Sequence, residues 1–285
     1  MDGNTRLYGI LGHPVRHSLS PAMHNAAFAH LGLNAAYVPF PVLPEQLELA
    51  VRGLVAAGVQ GFNLTVPHKT AILPLLHEMT PQAQRMGAVN TVRVEAEGKL
   101  VGTNTDGTGF VQALAEDLRL DAAGQTAWLL GAGGSARAVA MALLEAGLAK
   151  LVIANRSAPR AQELAQACRA AFPQARIEVQ PLGHAWPRED TAPLLINTTT
   201  LGMGTTNDSP LDLNTVPHPL AVVDIIYDPP LTPLLAHAQQ LKIPHSNGLG
   251  MLLHQGAAAF TFWTGHPAPL NVMRQALLAG LKAKK

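Results

Sequence analysis

The sequence predicts an α/β protein of two domains, and three observations carry that prediction. Short apolar runs alternate with helical patterns, the order that builds sheets covered by helices. The chain has 285 residues, more than one hydrophobic core usually serves. Midway, "TAWLLGAGGSARAVAMALLEAGLAKLVIANRS" reads as strand, Gly-rich turn, helix and strand, a βαβ unit in one stretch.

In order, "LYGILG" reads as a strand. "SPAMHNAAFAHLGL" reads as a helix with Ser20 as N-cap and Pro21 at the first helical position. "AAYVPFPV" is a strand, and "EQLELAVRGLVAAG" a helix closed by Gly58. "VQGFNLTV" is a third strand. A helix starts after Pro67 and carries Lys69 in its opening turn, where the positive end of the helix dipole opposes a cation. "AVNTVRVEAEGKLVGTNTD" reads as a hairpin turning near Glu97 and Gly98. "GTGFVQALAEDLRL" is a helix leading into the βαβ unit. "LLINTTTLGMG" and "AVVDIIYDP" supply strands that end in loops, and "LTPLLAHAQQLK" another helix. From "GLGMLLHQGAAAFTFWTG" onward the chain reads as helical, with "LKAKK" as its frayed end. The first domain is expected over 1–106, completed by helices 249–285 that pack back on it, and the second over 107–248.

Composition narrows the function. Hydrophobic residues make up 48% and charged residues 14%, ordinary for a chain with a large buried sheet. A formal net charge of +1 gives no electrostatic reason to expect a nucleic acid or a membrane surface as partner. Cys168 is the one cysteine, and the absence of any internal disulfide fits a reducing, cytoplasmic setting. The opening "MDGNTRLYGILGH" lacks the apolar core of a signal peptide, and no apolar run is long enough to span a bilayer.

The turn Gly131, Ala132, Gly133, Gly134, Ser135, Ala136 follows a strand and opens a helix, the context that a dinucleotide-binding fingerprint requires. Gly131 permits the tight turn and Gly133 lets the backbone approach a pyrophosphate. Ala136 stands at the third, tolerant position, and the helix N-terminus attracts the anion. An NAD site would place Asp or Glu at the end of the next strand, to accept from the ribose 2′-hydroxyl. Here that strand ends in Asn155, followed by Arg156, Ser157 and, four residues beyond Arg156, Arg160. Guanidinium groups bind a 2′-phosphate with charge-assisted hydrogen bonds, so NADP is expected over NAD.

Nine stretches, in order "HPVRHSLSPAMHN", "GFNLTVPHK", "GAVNT", "GTNTDGTGF", "GAGGSARA", "NRS", "NTTTLGM", "DIIYDPPLTP" and "NGLGMLLHQGAAAFTFWTG", together resemble the shikimate dehydrogenase family over nearly the whole chain. The resemblance implies an N-terminal α/β substrate domain, a Rossmann-type NADP-binding domain, and an active site in the cleft between them. It implies reversible reduction of 3-dehydroshikimate to shikimate by NADPH, in a monomer or homodimer with a small-molecule substrate. By motif position, Ser18 and Ser20 would hold the substrate carboxylate, and Thr65, Asn90 and Gln255 the ring substituents. Lys69 and Asp106 would be the catalytic pair, and Tyr227 would line the site. Thr198, Ile225 and Gly248 would join the Gly-rich turn and the Asn155–Arg160 segment around the cofactor. The chain departs from the family in "NTTT", where Ala-Thr-Ser is commoner after the Asn, and in Ser157, where Thr is common.

Local chemistry offers plainer roles for some of these residues. Ser20 serves as a cap without any ligand, whereas Ser18 has no such role. Asp106, just before a helix, suits a cap or an Asx turn, and Asn90 a turn. His13, His17, His24 and His68 form no zinc spacing and read as polar loop or helix-surface residues, so no metal is expected. Met251, Gln255, Ala259 and Trp263 recur every fourth residue on one otherwise apolar helical ridge, so the Gln255 amide is either hydrogen-bonded in the core or pointed into a cleft, and the cleft is favoured because an unpaired buried amide is costly. Two alternatives stay open: an enzyme that also accepts quinate or NAD, and a non-catalytic NADP-binding sensor.

Overall fold

The computed structural model describes residues 1–183, 186, 191–204, 206 and 208–283. Lys284 and Lys285, the tip of the tail read as frayed, lie outside the described residues. The chain divides into two compact units, Met1–Asp106 with Leu253–Lys285, and Gly107–Leu252.

The first unit begins with β1 (Arg6–Gly12), α1 (Ser20–His30), β2 (Ala35–Pro41), α2 (Leu47–Ala56), β3 (Gly61–Leu64) and the single-turn helix α3 (His68–Ala71). It continues through β4 (Glu78–Met79), α4 (Pro81–Met86), β5 (Thr91–Val94) and β6 (Leu100–Thr103). Its sheet runs β2-β1-β3-β5-β6-β4. β1 pairs in parallel with β2 and β3, while β5 is antiparallel to both β3 and β6. The β5–β6 hairpin turns through Glu97 and Gly98, both at positive φ, 59° and 77°. That is the backbone the Glu-Gly pair predicts.

This topology gathers chemistry at one edge of the sheet. The C-terminal ends of β1, β3 and β6 and the start of β5 share it, because Leu11 is in register with Leu64, Asn63 with Thr91, and Thr91 with Thr103. Leu11, Phe62, Leu64, Val89 and Val92 fill the core on the α2 side.

The expected cap at Ser20 is corrected by the structure. The helix starts one residue earlier than the Ser-Pro pair suggests, with Leu19 at the N-cap position and no side-chain cap bond. Ser18 takes the capping task instead, its Oγ accepting from the Ser20 N–H at 3.2 Å. Ser20 becomes a buried residue of the first turn.

The second unit comprises α5 (Asp106–Leu118, its first residue belonging to the first unit), β7 (Thr126–Leu130), α6 (Gly134–Glu145), β8 (Lys150–Asn155) and α7 (Ala158–Ala171). Then follow β9 (Arg176–Pro181), β10 (Leu194–Asn197), β11 (Ala221–Asp224), α8 (Pro233–Gln240) and β12 (His245–Ser246). All pairs in the sheet β12-β11-β10-β7-β8-β9 are parallel. Parallel strands covered on both faces are continuously apolar, as "LVIA", "LLI" and "AVV" are. Strand β9 has no apolar run of that kind and carries no such signal in the sequence.

Helix α9 (Leu249–Thr264) brings the chain back to the first unit, and α10 (Leu270–Lys282) follows a break at Gly265, φ 71°. Within the first unit Trp263 donates from Nε1 to Val92 O at 2.9 Å. Its indole lies so close to Gly61 that a Cβ there would come within 2.6 Å. Tyr8, Phe28, Tyr37, Phe260 and Trp263 form an aromatic layer around His24.

Candidate active site

Lys69 and Asp106 meet at the collected edge. Lys69 Nζ lies 2.5 Å from Asp106 Oδ2, with side-chain exposures of 16% and 8%. Burial removes the water that weakens exposed pairs. Asp106 Oδ1 accepts from Asn90 Nδ2 at 2.7 Å, so both carboxylate oxygens are occupied. Asn90 is held in turn: its Oδ1 accepts from the Thr105 N–H at 2.9 Å and from the Thr91 hydroxyl at 2.9 Å. The Asx turn that the sequence offered to Asp106 belongs to Asn104, whose Oδ1 accepts from the Asp106 N–H at 3.0 Å. Asp106 is thereby free to serve Lys69.

The helix carrying Lys69 is a single turn, so its start and its end coincide. The dipole conflict read from the sequence needs a helix with distinct ends and does not apply here. Position comes from tertiary bonds, since Lys69 O accepts from the Val89 N–H at 2.8 Å.

The other candidates of the first unit lie on separate elements. Thr65 leaves β3 half-buried, its N–H donating to Leu11 O at 2.9 Å. Ser20 is 3% exposed. Gln255 is half-buried on α9, and a Cβ on its neighbour Gly256 would meet Met23 and His24 of α1. The histidines need a correction. His24 and His68 are fully buried, not on a loop or helix surface. His68 Nε2 bonds Val42 O at 2.8 Å. His24 stacks on Tyr37 at 4.4 Å, neither of its ring nitrogens has a partner among the described residues, and burial drives its pKa down to about 3. Among the described residues no group of three or more His, Cys, Asp or Glu is placed to hold a metal ion.

In the second unit β7 and β10 are neighbours and the chain order reverses between them, a topological switch point at the carboxyl ends of the strands. Gly131 sits there at φ 108°, and a Cβ would come within 2.6 Å of Thr198 Oγ1. Gly133 and Gly134 differ: a Cβ on either would meet nothing within 4 Å. Packing within the chain does not require them to be glycine. They leave bare backbone at the N-terminus of α6, which has no side-chain cap and so presents free N–H groups. Ala132 and Ser135 complete that turn. A dinucleotide pyrophosphate fits this cradle in shape and charge.

Asn155 closes the turn after β8, donating from Nδ2 to Ser157 O at 2.9 Å, and Arg156 and Arg160 are exposed beside it. Ser157 holds the N-cap position of α7 without a side-chain cap bond. Gly248 lies against the Ile225 backbone, where a Cβ would be 1.8 Å from Ile225 O. Burial, and then Asp228, push the Tyr227 phenol above its ordinary pKa.

Several residues that hold these loops escaped the sequence reading. Asp224 accepts from Asn197 Nδ2 at 3.0 Å, the Ile226 N–H at 3.1 Å and the Thr232 hydroxyl at 2.7 Å, which ties together the loops carrying Thr198, Ile225 and Tyr227. Burial pushes Asp224 up to about 6, against those three donors. A lone carboxylate ending the apolar strand "AVVD" was the available signal, and Asn63 in "GFNL" is the same signal in the first unit.

The strand order of the second unit is that of a doubly wound dinucleotide-binding domain, and the chain has the architecture of a nicotinamide-dependent oxidoreductase. Family comparisons agree along its length. Residues 10–92 match the shikimate dehydrogenase substrate binding domain, residues 113–186 match shikimate / quinate 5-dehydrogenase, and residues 248–278 match the shikimate 5'-dehydrogenase C-terminal domain. A shikimate dehydrogenase (NADP(+)) of Geobacter metallireducens is 48% identical over 282 residues, covering 98% of each chain. The crystal structure of shikimate 5-dehydrogenase from Thermus thermophilus in complex with NADP(H) and shikimate aligns with a TM-score of 0.86 at 39% identity, over 97% of this chain and 100% of that one. Quinate dehydrogenase from Corynebacterium glutamicum in complex with NAD aligns at 0.86 and 31% identity, over 97% and 100%. The chain belongs to the shikimate dehydrogenase family.

Proposed function

We propose that this chain is an NADP-dependent shikimate dehydrogenase, reducing 3-dehydroshikimate to shikimate and running the reverse reaction. The observation that carries the chemistry is the partly buried Lys69–Asp106 pair, locked by Asn90. Bound NADPH supplies a hydride to the substrate carbonyl carbon. As charge develops on the carbonyl oxygen, the Lys69 ammonium stabilises it and delivers a proton. Asp106 holds Lys69 in position and balances its charge. Ser18 and Ser20 hold the carboxylate, and Thr65, Asn90 and Gln255 orient the ring, with Tyr227 lining the site. Gly131, Ala132, Gly133, Gly134 and Ser135 hold the pyrophosphate. Asn155, Arg156, Ser157 and Arg160 surround the adenosine 2′-phosphate, and Thr198, Ile225 and Gly248 the nicotinamide end.

Support for NADP comes from the absence of a carboxylate at the end of β8 and from the two exposed guanidinium groups next to it. Among the described residues no helix is long and apolar enough to cross a membrane. Steady-state rates with the four combinations of shikimate or quinate and NADP or NAD test the assignment. Shikimate with NADP is expected to give the highest kcat/KM by at least ~10-fold, about 1.4 kcal/mol of discrimination. Equal values for quinate, or for NAD, would favour the relaxed enzyme. No turnover in any combination would leave the NADP-binding sensor.

A further inference from the structure

Tyr37 is 1% exposed and Asn63 5%, so neither is open to solvent, yet they begin a continuous polar chain through the core of the first unit. The Tyr37 hydroxyl donates to Asn63 Oδ1 at 2.7 Å. Asn63 Nδ2 donates both its hydrogens, to Asn90 O at 3.0 Å and to Thr91 Oγ1 at 2.9 Å. The Thr91 hydroxyl, having accepted from Asn63, donates to Asn90 Oδ1 at 2.9 Å. Asn90 Nδ2 then donates to Asp106 Oδ1, and Asp106 Oδ2 accepts from Lys69.

The amide steps each admit one assignment of donor and acceptor, and the Thr91 hydroxyl lies nearer Asn90 Oδ1, at 2.9 Å, than Thr105 Oγ1, at 3.4 Å. Asn63 Nδ2 faces a carbonyl, so the amide cannot be flipped, and its Oδ1 must accept from Tyr37. Burial pushes the Tyr37 phenol well above its ordinary pKa, which keeps the hydroxyl a donor. Asn90 Oδ1 accepts from the Thr105 N–H and from the Thr91 hydroxyl, so the Asn90 amide has its NH2 side turned to Asp106. A flipped Asn90 would set an oxygen against the carboxylate.

We infer that Tyr37 is a positioning residue for the proposed reaction: acting through Asn63 and Thr91, it adds a second hold, beside the Thr105 N–H, on the Asn90 amide that orients Asp106 and thereby Lys69. The inference rests on the proposed function in so far as its readout is catalysis.

Tyr37→Phe tests it, because the ring that stacks on His24 is kept and only the hydroxyl is lost. In full-length protein, kcat/KM for shikimate should fall about tenfold, the loss of one buried, charge-linked hydrogen bond, while KM for NADP stays within about twofold. Thr91→Val cuts the same chain further along. If both act through one network, the double variant should lose far less than the product of the two single losses. Multiplicative losses, or an unchanged kcat/KM in Tyr37→Phe, would overturn the inference. Wild-type protein that turns over no substrate would defeat the proposed function and not this network. In that case side-chain amide hydrogen exchange of Asn63 and Asn90 decides: faster exchange in Tyr37→Phe, or in Thr91→Val if the first does not fold, supports the network, and unchanged exchange overturns it.

Discussion

Replacing Lys69 by Met keeps the apolar stem and deletes the ammonium, and the structure sets the size of the effect. Deleting a donor aimed at a developing oxyanion costs ~10²–10³ in kcat. Losing a positioned proton donor costs ~10²–10⁴. One ammonium group performs both tasks here, so the two losses do not multiply, and kcat should fall about 10³-fold or more. KM for shikimate should move by less than ~5-fold, since Ser18, Ser20, Thr65 and Gln255 are untouched and uniform binding is retained. Stability should also drop. Asp106 keeps its bond from Asn90 at 2.7 Å but loses the cation at 2.5 Å while only 8% exposed. Breaking a fully buried pair costs ~3–5 kcal/mol, and Lys69 retains some solvent contact, so the lower end, about 3 kcal/mol, is expected. The assay is NADPH oxidation at saturating substrates, beside urea unfolding of the same preparation. A folded variant with kcat within tenfold of wild type would refute the role given to Lys69 and the pairing with Asp106.

Three further outcomes are expected. Replacing Arg156 and Arg160 together by Ala should lower kcat/KM for NADPH by ~10–100-fold, less than two buried charge-assisted bonds would give because both guanidinium groups are exposed, and leave NADH unaffected; parallel losses for both cofactors would contradict the 2′-phosphate assignment. Gly133→Ala should raise KM for NADPH several-fold without changing the thermal midpoint, because a Cβ there meets nothing in the chain within 4 Å; a lowered midpoint with unchanged KM would point to a packing role. The third concerns pH and His24, whose pKa burial lowers from 6.5 to about 3. The unfolded chain takes up this proton near 6.5 and the folded chain does not, so stability is lost as pH falls from 6.5 toward 3, by about 1.4 kcal/mol per unit. Between pH 7 and pH 5 the wild type should lose about 2 kcal/mol more than His24→Phe in urea unfolding, and equal losses would show that His24 is not buried neutral.

The sequence made the alternation of elements, the β5–β6 hairpin and the Gly-rich turn legible, because each depends on local chemistry: apolar period, a Glu-Gly turn, a bare strand-to-helix corner. Lys69 and Asp106 were legible as a pair through family motifs alone, since nothing local brings residues 37 positions apart to 2.5 Å. Local rules misled where tertiary bonds took over. The Ser-Pro signature suggested a cap at Ser20, but the chain enters α1 at Leu19 and Ser18 supplies the bond. Lys69 seemed to oppose a helix dipole, but its helix is one turn long. His24 read as a surface group because polarity stands for exposure in a sequence, and aromatic stacking overrides it. Tyr37, Asn63 and Thr91 were invisible as a unit, because the unit exists only once the register sets Asn63 beside Thr91.

Product identification tests the central claim most directly. Purified protein incubated with 3-dehydroshikimate and NADPH, with the products separated by chromatography, is expected to yield shikimate in one-to-one ratio with the NADPH oxidised. NADPH left unconsumed, or oxidised without shikimate appearing, would contradict the assignment.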